Sequence, residues 1–442
     1  MTDMAVENAA MRQADGTGLH MTEAATKRLK ARYAAERRFR MIGLCAIIFS
    51  LAALAILLFT ILSNGFTAFR QGHVQLEIQF TPDQIAPAGT TDPRKLMQGN
   101  YGSLILASLQ NRFPEAQSRT QRRQLQGMIS AGAEAQLGRM VVADPSIIGT
   151  TRKVWLPLSS DVDMFVKGQV DTKAAEGERK IKDAQVQWIE ALKATGDLEL
   201  QFNKRFFTAA DSREPELVGV WGGVVGSFYT LLVTLIVAFP LGIMAAIYLE
   251  EFAPKNRWTE IIEVNINNLA AVPSIVYGLL GLAVFIGFFG MPRSAPLIGG
   301  LVLALMSLPV IIIAARAALR AVPPSIRQAA LGLGASPLQA VLHHVLPLAM
   351  PGILTGTIIA MAHALGETAP LLMIGMVAFI VDIPATPVDA ATVLPVQIFM
   401  WADSAERGFV EKTSAAIIVL LVFLLLMNLA AILLRKKFER RW

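Results

Sequence analysis

The chain has 442 residues, of which 54% are hydrophobic and 17% charged, and its formal net charge is +6. A water-soluble protein of this length normally has a larger charged fraction, so the composition argues against a soluble protein. The positive charge could indicate basic tails that bind RNA or lipid headgroups. Because the basic residues gather beside apolar segments, we expect a lipid bilayer and no nucleic acid as partner.

Uncharged apolar runs dominate the chain. Crossing about 30 Å of hydrocarbon takes roughly 20 helical residues, and six runs reach that length. They are Met41–Leu62, Val218–Leu249, Val264–Pro292, Ser294–Ala315, Val345–Gly366 and Thr413–Leu434. The sequence therefore predicts an all-α polytopic membrane protein with six transmembrane helices.

Basic clusters flank the first and last runs. Such clusters mark the cytoplasmic side of a membrane, so both termini are expected to be cytosolic. We expect a cytosolic basic tail at 1–40 and a first transmembrane helix at 41–63, retained as an anchor because no convincing cleavage site follows it. The cluster residues are Lys27, Arg28, Lys30, Arg32, Arg37, Arg38 and Arg40, then Arg435, Lys436, Lys437, Arg440 and Arg441.

The polar segment 64–216 is long enough for a small domain, and the orientation of the first span places it outside the cytoplasm. Val74–Phe80 alternates as a strand does, whereas 171–207 has apolar residues at helical spacing. These patterns leave two folds open, a mixed α+β domain or a helical hairpin, with a spacer or docking role. The single cysteine, Cys45, lies in the first span, so neither a disulfide nor a metal site is predicted.

The apolar run from 345 to 381 is too long for one span. Counting two spans would place the C-terminal basic cluster outside, so we predict one span at about 348–370 followed by a partly buried outer segment. Prolines at 240, 273, 309 and 351 are expected to kink or end their helices.

A cytosolic loop at about 321–347 has the pattern of two short helices joined by a glycine. Gly334 follows a predicted helix at 325–333 and suits a left-handed C′ position. Ser336, Pro337 and Gln339 form a capping-box pattern that begins the second helix. The small residues of this loop favour insertion into a groove of a partner protein, although packing against its own helices stays an alternative. No G-x-x-x-x-G-K-[ST] motif occurs, so any ATP must be bound by another chain.

This loop resembles the coupling-loop signature of ABC-importer permeases. The matching residues are Gln328, Ala329, Ala330, Gly334, Leu346 and Pro347. Two positions depart from the signature, since Gln328 replaces the usual acid and His344 replaces an aliphatic residue. The lost acid weakens an expected ion pair with the ATPase.

Three further segments resemble phosphate permeases, and Gly366–Pro370 in particular resembles the PstA-type subunit. The others are Pro240–Gly242 with the 245–254 segment that follows it, and Val272–Gly278. The resemblance implies a type I importer permease core (MetI-like) at 217–442. The domain at 64–216 would be a periplasmic accessory domain.

The resemblance also implies a function and partners. It implies a permease subunit of an ATP-driven phosphate importer in the bacterial inner membrane, working with a PstC-type sister permease, a PstB-type ATPase dimer and a PstS-type periplasmic phosphate-binding protein. ATP and Mg²⁺ would be bound by the ATPase, with no cofactor or catalytic residue on this chain. A permease for another oxyanion and a phosphate-sensing membrane scaffold stay open, whereas the sequence lacks a constellation for a membrane enzyme.

Glu367 is the acid that lies deep in an apolar run, and ionisable groups there usually serve function. Because phosphate is an anion, we expect Glu367 and Thr368 to act in a gate or path rather than bind phosphate directly. Candidate partners are Arg316, His363 and a residue of the sister subunit. The alternatives are a packing role for Glu367 and contact with headgroups for Arg316 and Arg320.

Overall fold

The computed structural model describes residues 23–86, 90, 92–170, 176–377 and 379–438. Residues 1–22 of the tail predicted at 1–40, residues 171–175 of the predicted helical stretch, and Arg440 and Arg441 lie outside the described residues. The chain divides into two compact units, residues 1–62 and 63–442.

The first unit is helical from Glu23 onward. Helix α1 (Glu23–Phe66) contains the predicted first span Met41–Leu62 and ends in the second unit. Its run of isoleucine, leucine and alanine has an interior free of glycine and proline from Cys45 to Leu62, which suits a continuous membrane helix.

The second unit begins with a small α+β domain. Its antiparallel sheet has the order β2-β1-β3, with β1 (Arg70–Gln79) between β2 (Thr151–Pro157) and β3 (Leu198–Phe202). Val74, Leu76 and Ile78 point to the buried face of β1, as the alternating pattern predicted. The predicted strand at 74–80 is therefore confirmed, shifted by a few residues.

Short helices cover the sheet. They are α2 (Pro82–Ile85), α3 (Pro93–Met97), α4 (Tyr101–Arg112), α5 (Arg119–Gln126), α6 (Gly132–Ala143), α7 (Ser160–Val166), α8 (Asp183–Ala194) and α9 (Lys204–Thr208). Ile189 and Leu192 of α8 are buried in the domain core, as their spacing predicted. The helical hairpin was the wrong alternative, because α8 is followed by the strand β3.

The membrane core contains the remaining helices. They are α10 (Trp221–Ile247), α11 (Arg257–Ala270), α12 (Ser274–Gly281), α13 (Pro296–Arg320), α14 (Pro324–Gly332), α15 (Pro337–Ala340), α16 (Leu346–Gly366), α17 (Ala369–Met373), α18 (Leu394–Ala402) and α19 (Gly408–Phe438), with π-helical turns at Tyr248–Phe252, Leu282–Phe288 and Val341–Val345. Within the described ranges, five helices are long and apolar enough to cross a membrane, and a bent helix pair brings the number to six. The predicted polytopic fold is confirmed.

The bent pair lies in the run predicted as a span at Val264–Pro292, and the expected helix end at Pro273 is confirmed. Helices α11 and α12 meet at an angle of 101°. Pro273 has extended backbone, lacks an N–H and disfavours helical geometry at Val272, so α11 ends before it. The Tyr277 hydroxyl donates a 2.8 Å hydrogen bond to the Leu269 carbonyl across the break. Pro309 and Pro351, in contrast, lie inside helices.

Helix α13 lies at the centre of the membrane core and is the most buried of the five candidate spans among the described residues. A Cβ added at Gly356 of α16 would lie 2.2 Å from the Ala314 Cβ, and one at Gly352 would lie 2.7 Å from the Ala318 Cβ. Small residues four apart on facing helices allow this close approach, as is typical of membrane helices.

A buried charge network joins the α+β domain to α19. Lys167 Nζ lies 2.7 Å from Asp163 and 2.8 Å from Glu411, and all three side chains are at most 5% exposed. The Gly72 N–H donates to Asp163 at 2.7 Å, while Lys412 Nζ makes a 3.0 Å ion contact with Glu411. The network therefore fixes the domain to the start of the last candidate span.

Replacing Lys167 by methionine should destabilise the domain strongly, because it leaves two buried carboxylates without their shared cation. We expect a loss of about 3 kcal/mol in the free energy of unfolding. Urea denaturation of the detergent-solubilised chain, followed by tryptophan fluorescence, would measure it.

The matched control is Lys180→Met. Lys180 is 61% exposed in its ion pair with Asp161, so its loss should cost less than about 1 kcal/mol. Equal losses for the two variants would contradict a stabilising role for the buried network.

Candidate functional site

The loop at 321–347, here called the coupling segment, has the local structure that its sequence predicts. Helix α14 follows Pro323 and ends before Gly334, whose φ of +87° is left-handed. The Ala335 N–H then donates to the Ala330 carbonyl at 3.1 Å. Because a β-branched residue resists this conformation, glycine defines the angle between the two helices.

The predicted capping box is also present. The Gln339 N–H donates to Ser336 Oγ at 3.3 Å, and the Ser336 N–H donates to Gln339 Oε1 at 2.9 Å. Helix α15 passes through the π-helical turn into α16, so Leu346 and Pro347 begin α16 rather than end the second helix.

The exposed surface of the coupling segment is more apolar than its small residues suggested. Gln328 and Ala329 are exposed, whereas Ala330 is buried. Three leucines also face outward, Leu331, Leu333 and Leu338, and Leu333 is 90% exposed. Exposed apolar patches typically mark binding surfaces, and the sequence analysis missed these leucines.

Arg327 anchors the coupling segment to the membrane core. Its Nε lies 3.1 and 3.0 Å from the two carboxylate oxygens of Glu251, which is 9% exposed. Its other nitrogens donate to the carbonyls of Leu319 and Val322, at 2.9 and 2.8 Å. One guanidinium thus holds the end of α13, the π-helical turn after α10 and the start of α14 together.

Beside Arg327 lies a second ion cluster. Arg316 lies 2.7 Å from Glu263 and 3.4 Å from Glu250, and it is only 13% exposed. Arg320 also pairs with Glu250, at 2.8 Å, but it is 60% exposed. The two acids neutralise the arginines where α10, α11 and α13 meet, and the sequence analysis did not identify these acids.

At the opposite end of α16, His363 Nε2 lies 3.0 Å from Glu367 Oε1. Glu367 caps α16 and is 19% exposed, whereas His363 is 64% exposed. Arg316 does not join them, since it is paired with Glu250 and Glu263. Of the two partners considered within the chain, the structure brings only His363 to Glu367.

Thr368 begins the next helix, where its carbonyl accepts the N–H groups of Leu371 and Leu372 at 3.1 and 3.0 Å. The segment that follows packs closely on α12. A Cβ added at Gly278 would lie 2.7 Å from the Pro370 Cα, so only glycine fits there. Two of the sequence segments that resembled phosphate permeases are therefore parts of one packed unit.

Comparison with known proteins finds two family matches. Residues 238–442 match the family described as binding-protein-dependent transport system inner membrane component. Residues 26–176 match a family described as a domain of unknown function, DUF3333. The first match ends within the α+β domain, before α8, and the second begins within α10.

Several curated relatives are permeases. The PstA 1 phosphate transport system permease of Mycobacterium tuberculosis is 31% identical over 49% of this chain and 70% of its own length. The PstA permease of Yersinia pestis is 32% identical over 50% of this chain and 73% of its own. A probable ABC transporter permease of Bacillus subtilis, YqgI, is 35% identical over 39% of this chain and 58% of its own length.

Among solved structures, the inward-facing MetNI methionine ABC transporter is 18% identical over 50% of this chain and 98% of its own chain, with a TM-score of 0.40.

Replacing Arg327 by alanine should loosen the coupling segment, because a buried carboxylate loses its hydrogen-bond partners. We expect the free energy of local opening to fall by about 2 kcal/mol for the amides of 324–332. Hydrogen–deuterium exchange of the detergent-solubilised chain would measure the change.

Arg320→Ala is the matched control. Arg320 is 60% exposed, so the loss of its ion pair with Glu250 should leave hydrogen exchange of the coupling segment unchanged. A Glu251→Ala, Arg327→Ala double variant should exchange no faster than Arg327→Ala alone. Additive effects of the two substitutions would show that the residues act separately.

Proposed function

The chain belongs to the family of binding-protein-dependent transport system inner membrane components, as a PstA-type permease, and on that premise we propose that it is a transmembrane subunit of an ATP-driven importer of inorganic phosphate. The observation that carries the proposal is the similarity to two PstA permeases over at least 70% of their lengths. The coupling segment, with its glycine turn and exposed leucines, supplies a docking surface for an ATPase. ATP and Mg²⁺ belong to that partner, because this chain has no nucleotide loop.

One helix connects the docking surface to the candidate gate. It runs from Pro337 to Gly366 with Ser336 capping its start and Glu367 capping its end. Thirty residues of helix extend about 45 Å, enough to cross the hydrocarbon. Movement of the coupling segment would therefore reach Glu367 along a single element.

Glu367 and His363 form the proposed gate, with Thr368 beside them. A carboxylate repels phosphate. The path would therefore be closed when the Glu367 carboxylate faces it, and open when a nearby cation neutralises the charge of that carboxylate. His363 supplies a cation only when protonated, which suits a gate better than a permanent phosphate site. Arg316 lies at the cytoplasmic ion cluster and would serve there to hold helices together.

The remaining partners follow from the family. A PstC-type permease would complete the path, a PstB-type dimer would hydrolyse ATP and a PstS-type protein would deliver phosphate. We propose a bacterial inner-membrane location with both termini cytosolic and the α+β domain periplasmic. This orientation agrees with the basic residues before α1 and at the end of α19.

Transport by the reconstituted complex tests the function. Proteoliposomes that contain this chain with its sister permease, ATPase and binding protein should accumulate labelled phosphate only with ATP on the ATPase side. Unlabelled phosphate should compete, and sulfate or molybdate should not. Competition by molybdate alone would favour a permease for another oxyanion, and binding without uptake would favour the sensing scaffold.

Replacing Glu367 by glutamine should reduce phosphate uptake about tenfold or more, because the amide keeps the shape but removes the charge that the gate requires. Uptake and ATP hydrolysis would be measured together in the same proteoliposomes. ATP hydrolysis should persist, since Glu367 lies at the end of α16 opposite the coupling segment.

Glu190→Gln is the control, because Glu190 is an exposed acid of the α+β domain. Uptake unchanged by both substitutions would remove Glu367 from the mechanism while leaving the transport function intact.

A further inference from the structure

Four phenylalanines form a continuous row where the α+β domain meets the membrane core. The ring centroids of Phe66 and Phe69 lie 5.6 Å apart, those of Phe69 and Phe207 5.4 Å, and those of Phe207 and Phe202 5.6 Å. We call these four residues the aromatic edge. Phe206 lies behind it, fully buried, with its ring 5.2 Å from that of Phe207.

The outer surface of the aromatic edge is uncovered. Phe66 is 67% exposed and Phe202 is 60% exposed. Along β3, Leu198, Leu200 and Phe202 share one face because side chains alternate in a strand. Leu198 is buried in the domain core, but Leu200 is 41% exposed, so the apolar face of the strand continues beyond the core.

The aromatic edge lies where membrane spans begin and end. Phe202 pairs in register with Arg70, and Arg70 directly follows Phe69, the last residue of the first candidate span. On the other side, the Trp221 N–H at the start of α10 donates to the Ala209 carbonyl at 3.0 Å, just after Phe207. Both connections place the edge at the depth of a membrane surface.

The residues beside the aromatic edge are of the types found at the surface of a bilayer. Trp221 is 45% exposed, and Arg70 and Lys204 are exposed beside the phenylalanines. Aromatic rings flanked by basic side chains are typical of the interfacial layer of a bilayer, where rings contact acyl chains and cations reach phosphate groups. An uncovered aromatic surface continuous with lipid-facing helices favours lipid over a soluble partner.

We propose that the aromatic edge inserts into the interfacial layer of the lipid bilayer. The α+β domain is then fixed at two places, by α10 after it and by lipid under β3. Together with the buried Lys167–Glu411 ion pair, lipid contact holds the domain in one orientation above the membrane core. The proposal does not depend on which solute the protein transports.

A fluorescent probe on β3 tests the insertion. In a Cys45→Ser background, Phe202→Cys and Glu199→Cys variants of the full chain would carry bimane in nanodiscs of phosphatidylcholine and phosphatidylglycerol. Glu199 is exposed on the opposite face of the same strand, which makes it the matched control. We expect lipids brominated near the headgroup to reduce fluorescence at 202 and not at 199.

Aqueous iodide should show the reverse order, with the stronger loss of fluorescence at 199. Leu200→Cys provides a second reporter on the proposed face, in case the 202 substitution perturbs the strand. Equal quenching by brominated lipid at 199, 200 and 202 would overturn the proposal. A second result would also overturn the proposal, namely iodide quenching at 202 that disappears only when the other transporter subunits are added. The aromatic edge would then be an interface with another protein.

Discussion

Close contact between α13 and its neighbours is the constraint on which the membrane core depends. Gly352 and Gly356 of α16 contact Ala318 and Ala314 of α13 so closely that a methyl group on either glycine would collide. Lipid tails are as apolar as leucine, so membrane helices associate through such packing rather than through the hydrophobic effect. With α13 held in this way, its C-terminal end becomes a fixed platform for the coupling segment.

Ion pairs add to the close packing at that end of α13. Arg327 contacts Glu251 and two carbonyls at the end of α13, while Arg316 contacts Glu250 and Glu263. These acids come from the turn after α10 and from α11, so three separate elements converge on the start of the coupling segment. A force applied to the coupling segment would therefore act on all three elements rather than on an isolated loop.

Local conformational rules explain which parts of this arrangement could be predicted. The left-handed Gly334 and the Ser336 capping box depend on residues within a few positions, and both were predicted correctly. The Arg327–Glu251 pair joins residues 76 positions apart, which no local pattern reveals. At Pro273 the proline predicted the helix break that the structure contains, whereas no local pattern predicted the 101° angle between α11 and α12.

The α+β domain shows the same division between local and distant information. The β1 alternation and the core residues of α8 follow from periodicity, but the Lys167–Glu411 pair joins residues 244 positions apart. That ion pair acts on the start of α19, just as Arg327 acts on the C-terminal end of α13. Since a buried pair tolerates little change in geometry, α19 and the domain must move together. Within the helix from Ser336 to Glu367, the π-helical turn and the internal Pro351 are the points at which the helix can bend.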